Sequence, residues 1–114
     1  MTLLSAKYIA ALYSAFRLMP PFDRYDLPTA SKIDFKIIND PNAYGYFHCD
    51  PHLKIEISKG RCLHYLTVSE TLLHEMCHLT LYNKGYKHWD GHGKTFYRLA
   101  DQVSNIYGFD PKRL

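Results

Sequence analysis

TLLHEMCHLTLYNKGYKHWDGHGKTF, residues 71–96, is the stretch whose reading decides the fold of this chain. It holds four of the seven histidines: His74, His78, His88 and His92. Its first half carries apolar residues at helical steps. Successive residues of a helix turn by about 100°, so His74 and His78 lie about 40° apart on one face, one turn above the other. Leu72, Met76 and Leu79 turn away from them, and Leu73 and Cys77 fill a second side. A helix that is apolar nearly all round is a buried one. Imidazoles buried on it need partners, and a metal ion is one.

The pattern is H-E-x-x-H, with Glu75 directly after the first histidine. Two neutral imidazoles so placed reach one Zn²⁺ at about 2 Å, and the ion lowers the pKa of a bound water to roughly 7. Glu75 flanks the histidine face, where it meets that water without having to ligate the metal. It is the expected general base, taking the proton during attack and passing it to a leaving amine. A catalytic zinc keeps three protein ligands and one open position. His88 and His92 are the candidates for the third. His92 stands between Gly91 and Gly93, where the backbone turns sharply and approaches closely, and is favoured. His88 sits in a loop rich in Lys, Trp and Tyr and reads as a rim residue.

Working outward, the helix is expected to begin with a capping box, Thr67 to Glu70, and to end at Gly85. Upstream, KIDFKII, AYGYFHC and LKIEIS alternate as strands, separated by NDPN and DPH turns. Short turns favour antiparallel neighbours. Gly45, inside the second strand, is a candidate bulge. Leu4, Tyr8, Leu12, Ala15, Phe16 and Met19 mark a first helix over about residues 3–18, capped by Thr2 and stopped by Pro20-Pro21. Phe96, Leu99, Ala100, Val103 and Ile106 form one face of a last helix that ends at Gly108. The expected fold is therefore α+β on one small core: an N-terminal helix, a small three-stranded, mainly antiparallel sheet, the H-E-x-x-H helix and a C-terminal helix.

Composition bounds the class. A chain of 114 residues, 46% apolar and 15% aromatic, is one globular domain over residues 1–114. A formal charge of +3, from scattered Lys and Arg, permits nucleic-acid contact without demanding it. Three cysteines without a CxxC argue against a disulfide framework or a Cys-rich zinc ribbon, and for a reducing compartment. No apolar run is long enough to span a membrane. The N-terminus lacks a basic leader and Lys7 interrupts its apolar run, so a cytoplasmic location without signal peptide is expected.

TLLHEMCHLTLY followed by DGHGKTF resembles the SprT-like metalloprotease domain, the family that includes the Spartan proteases. His74, Glu75, Met76, His78, Gly91, His92, Gly93 and Phe96 match that family's HEMxH helix, its Gly-His-Gly with the third ligand, and its following aromatic. YGYFHCDPHLKIEIS is similar to its strand pair. The likeness covers roughly residues 30–105 and is most specific over about 70–98. It implies a zinc-dependent endopeptidase of minimal zincin-like form, with the helix under a small sheet. Some members cleave proteins crosslinked to DNA through additional DNA-binding elements.

The implied partner is a protein or peptide substrate, with weak DNA contact as a further expectation. Tyr44, Tyr46 and His48 share a strand face, so Tyr46 or His48 is a candidate to steady an oxyanion, against plain cross-strand packing. Glu70, one turn before His74, is a candidate to orient it, against simple capping. Lys84, Lys87, Lys94 and Arg98 read first as a solvated face, then as a weak phosphate-contact patch. The rival from another class is a non-catalytic, zinc-stabilised binding module, its metal closed by a fourth side chain such as His88 or His48.

Overall fold

The computed structural model describes residues 4–62 and 64–110. The elements run α1 (Ala6–Arg17), two short 3-10 turns (Phe22–Arg24 and Ala30–Lys32), β1 (Asp34–Ile38), β2 (Gly45–His48), β3 (Lys54–Ser58), α2 (Tyr65–Asn83) and α3 (Lys94–Tyr107). This is the expected α+β order.

Each helix is set by local chemistry. Ser5 caps α1 by accepting from the Tyr8 amide at 3.1 Å; the proposed cap Thr2 lies outside the described residues. The buried stripe of α1 is Ile9, Tyr13 and Phe16, while Ala15 and Met19 are exposed. The expected stripe was thus rotated about one residue from the true one, because both sets share the same period. α2 begins at Tyr65 with His64 as an N-cap that makes no side-chain bond. Thr67 and Glu70 lie inside the helix, so the expected capping box does not form. Its far end closes as foreseen. Gly85 takes φ 86°, and the Gly85 and Tyr86 amides donate to the Tyr82 and Leu81 carbonyls at 3.0 and 3.1 Å. Gly108, at φ 80°, ends α3 in the same left-handed conformation.

The sheet order is β1-β3-β2, with β1 parallel and β2 antiparallel to β3. It is mixed rather than mainly antiparallel, and the correction has a physical cause. Ile55 and Ile57, both fully buried, make β3 the natural centre. The β1–β2 loop is long enough to cross the end of that strand. Ser58 holds it there: its hydroxyl accepts from the Asp40 amide at 2.9 Å and donates to the Asp40 carbonyl at 2.6 Å. β2 therefore lies at a sheet edge, paired only with β3 among the described residues. Gly45 to His48 face Ile57 to Lys54 without interruption, so Gly45 is not a bulge.

α2 packs beneath the sheet as the central element. Leu72, Leu73, Met76, Cys77 and Leu79 are fully buried on it. α1 packs on β1 through Tyr13 and Phe35, and on α3 through Phe16 and Tyr107. All three cysteines are free thiols. No helix among the described residues is long and apolar enough to cross a membrane.

Candidate metal centre

His74 and His78 project from one face of α2, as their spacing requires. His92 arrives from the loop between α2 and α3. The His78 Nε2 lies 3.3 Å from His74 Nε2 and 3.2 Å from His92 Nε2. One ligand nitrogen from each ring falls within 4.8 Å of the other two. Phe96, from the first turn of α3, supports all three rings at centroid distances of 5.1, 4.7 and 4.7 Å. His88 is exposed and lies outside the cluster.

The donor set fits a metal ion on two grounds. Two ligands at about 2.0–2.1 Å on a tetrahedral ion stand about 3.3 Å apart, which is the separation found here. The second ground is proton balance. His78 Nδ1 donates to the Trp89 carbonyl at 2.7 Å, so the neutral ring presents a lone pair at Nε2. Burial holds this imidazole below the usual histidine range, keeping it neutral. One lone pair accepts one N–H, yet two ring nitrogens crowd it; a single cation satisfies three converging lone pairs together. His74, His78 and His92 are thus positioned to hold a metal ion.

Glu75 is only 5% exposed, and burial pushes its carboxyl up to about 8. It sits where β2 crosses α2. That crossing explains Gly45: a Cβ there would stand 2.6 Å from the Glu56 carbonyl oxygen, 2.9 Å from Thr71 Cγ2 and 3.5 Å from Glu75 Oε2. Only a residue without a side chain lets the strand pass this close. Two clefts open on either side of the crossing. One, of about 450 Å³, is lined by Ala43, Tyr44, Glu70 and Thr71; the other, of about 260 Å³, by Phe47, Trp89 and His92. Gly45, His74 and Glu75 line both, so the centre lies at their junction.

Not every candidate gathers there. The Tyr46 hydroxyl donates to Asp40 at 2.9 Å, and His48 pairs with Glu56 at 2.6 Å. Alternation puts both on the sheet face opposite Gly45 and Phe47. Tyr46 still lines the smaller cleft with the three histidines, whereas the His48 side chain is committed to Glu56. Glu70 is half-buried and shares the larger cleft with His74. The residue that sequence reasoning missed is Trp89. Its contribution to His78 is a backbone carbonyl, which no side-chain pattern announces.

Three histidines positioned to hold a metal ion, two of them on an H-E-x-x-H helix roofed by a small mixed sheet, define the class. The family model described as SprT-like matches residues 22–113, most of the chain, and the chain belongs to that family. No curated protein and no solved structure matches it.

Proposed function

We propose that the protein is a zinc-dependent metallopeptidase. One observation carries the reading: three converging imidazole nitrogens with a buried carboxylate beside them, at the meeting point of two clefts. His74, His78 and His92 would hold the zinc. Zinc in this site supplies Lewis acidity toward a water and toward the carbonyl of the bond to be cut.

Glu75 accepts the water's proton and returns it to the departing amine. Its environment suits both steps. Burial raises its proton affinity, and a cation nearby offsets that rise, bringing the carboxyl toward the working pH. The outer edge of β2 offers main-chain groups to an extended peptide, which it would take as an added strand. The scissile bond then lies over the junction, with side chains entering the clefts on either side.

The rival binding module requires a fourth protein ligand. Among the described residues the cluster contains three, and His48 is engaged by Glu56. This favours an open position. Glu75→Gln is expected to keep zinc and to stop cleavage of an unfolded protein substrate; undiminished cleavage by that variant would overturn the assigned role. A cobalt-substituted sample with the absorption of four protein ligands would favour the module instead.

A nucleic-acid contact is a second reading, favoured by a separate shallow groove. Lys84 and Arg98 line it with Tyr25 and Tyr86, and no carboxylate lines it among the described residues. Lys84 Nζ stands 5.0 Å from the Tyr25 ring centroid. Cations beside flat rings suit phosphate and base together. Salt-sensitive binding of a short single-stranded DNA, weakened by Arg98→Ala, is expected; no binding at low salt would dismiss this reading.

A further inference from the structure

The loop between α2 and α3 carries the third histidine, yet it has little to hold it. Residues 84–88, Asp90 and His92 are all exposed. Gly91 is half-buried, and among the loop's side chains that of Trp89, the chain's one tryptophan, is the exception. Its ring stands edge-on to Phe47 of β2 at 5.5 Å and 86°, and to Tyr82 of α2 at 5.6 Å and 82°. Phe47 and Tyr82 are themselves 6.0 Å apart, which closes a three-ring cluster. Such pairs contribute beyond the area they bury and prefer this edge-to-face arrangement. The same residue's carbonyl accepts from His78 Nδ1 at 2.7 Å.

We infer that Trp89 is the positioning residue of the metal centre. Its ring pins the ligand loop to the sheet and to α2. Its carbonyl thereby stays where it fixes the His78 tautomer, with Nε2 left to face the ion. His92, three residues on, is brought to 3.2 Å from His78 by the same anchor. One side chain so orders two of the three ligands. Partners that orient metal-bound histidines commonly change metal affinity by about 10- to 100-fold when lost. The inference rests on the three-histidine site alone and stands whether or not the protein cleaves peptides.

The test is zinc affinity, measured on the full chain by competition with a chromogenic chelator. Trp89→Ala is expected to weaken binding by about 10- to 100-fold. Trp89→Phe keeps a ring on Phe47 and Tyr82 and is expected to restore affinity to within about threefold of the parent. Ile9→Ala, a cavity on α1 away from the loop, serves as the control for general destabilisation; it should lower the melting temperature without changing zinc affinity. Tyr82→Ala covers the case in which Trp89→Ala does not fold. Tyr82 is 38% exposed, so its loss is tolerated, and it removes one of the anchor's two supports. It should weaken zinc binding several-fold. Parent-like affinity in Trp89→Ala, or in Tyr82→Ala where that variant stands in, overturns the inference. So does an equal loss in Ile9→Ala.

Discussion

Adding one methyl group at position 45 tests the account of how strand and helix meet. In Gly45→Ala the new Cβ would lie 2.9 Å from Thr71 Cγ2 and 2.6 Å from the Glu56 carbonyl oxygen. Carbon atoms rest at about 3.5–4.0 Å, so the first contact is short by at least about 0.6 Å. The second contact is with backbone of the paired strand, which cannot retreat without breaking the ladder. β2 must lift off α2. Overpacking of this kind costs about 1–3 kcal/mol, and at roughly 4 °C per kcal/mol the melting temperature should fall by about 4–12 °C. Zinc affinity should fall several-fold, since the lifted strand carries Phe47, one of the two ring supports of Trp89. On the proposed peptidase reading, hydrolysis should fall steeply, because the lifted strand carries the proposed peptide-binding edge and walls Glu75. Thermal unfolding by circular dichroism, zinc competition and a peptide-release assay measure the three quantities. A variant that melts within about 1 °C of the parent and cleaves at full rate would refute the close-crossing argument.

Other outcomes follow from the same geometry. Ser104 is 3% exposed and its hydroxyl has no hydrogen-bond partner among the described residues, so Ser104→Ala should stabilise the fold by about 1 kcal/mol; a lower melting temperature would contradict this. Tyr13 is fully buried and donates to the Pro28 carbonyl at 2.6 Å, and burial raises its pKa well above the ordinary value of 10.0. The fold keeps this proton while the unfolded chain loses it, so its contribution is complete below about pH 10 and falls by about 1.36 kcal/mol per pH unit above. Urea midpoints at pH 9 and 11 should fall less in Tyr13→Phe than in the parent; identical slopes would count against it. Zinc at about 100 times its dissociation constant should stabilise the chelator-treated protein by about 2.7 kcal/mol, and His92→Ala should remove most of that gain. An equal zinc response in parent and His92→Ala would exclude His92 as a ligand.

What the sequence determined by itself is whatever one or two helical turns decide. The four-residue spacing of His74 and His78 puts them on one face in any helix. Gly85 and Gly108 end helices because a left-handed residue there needs no tertiary support. The burial of α2 follows from apolar residues on every side. Local pattern is weaker where two phases share one period, which is why the α1 stripe slipped by a residue, and where an earlier start is open, which is why Thr67 does not cap. Tertiary structure decided the rest. A strand's alternation names its faces but not its neighbours, so the insertion of β3 between β1 and β2 had to await the core that buries Ile55 and Ile57. The carboxyl of Glu75 gains its raised proton affinity only when β2 covers it, and β2 covers it only because Gly45 has no Cβ. The distance from His92 to His78 is a property of a loop anchored by Trp89. Spacing along a chain is a local quantity; the meeting of groups from separate elements is set by which surfaces can be buried against each other.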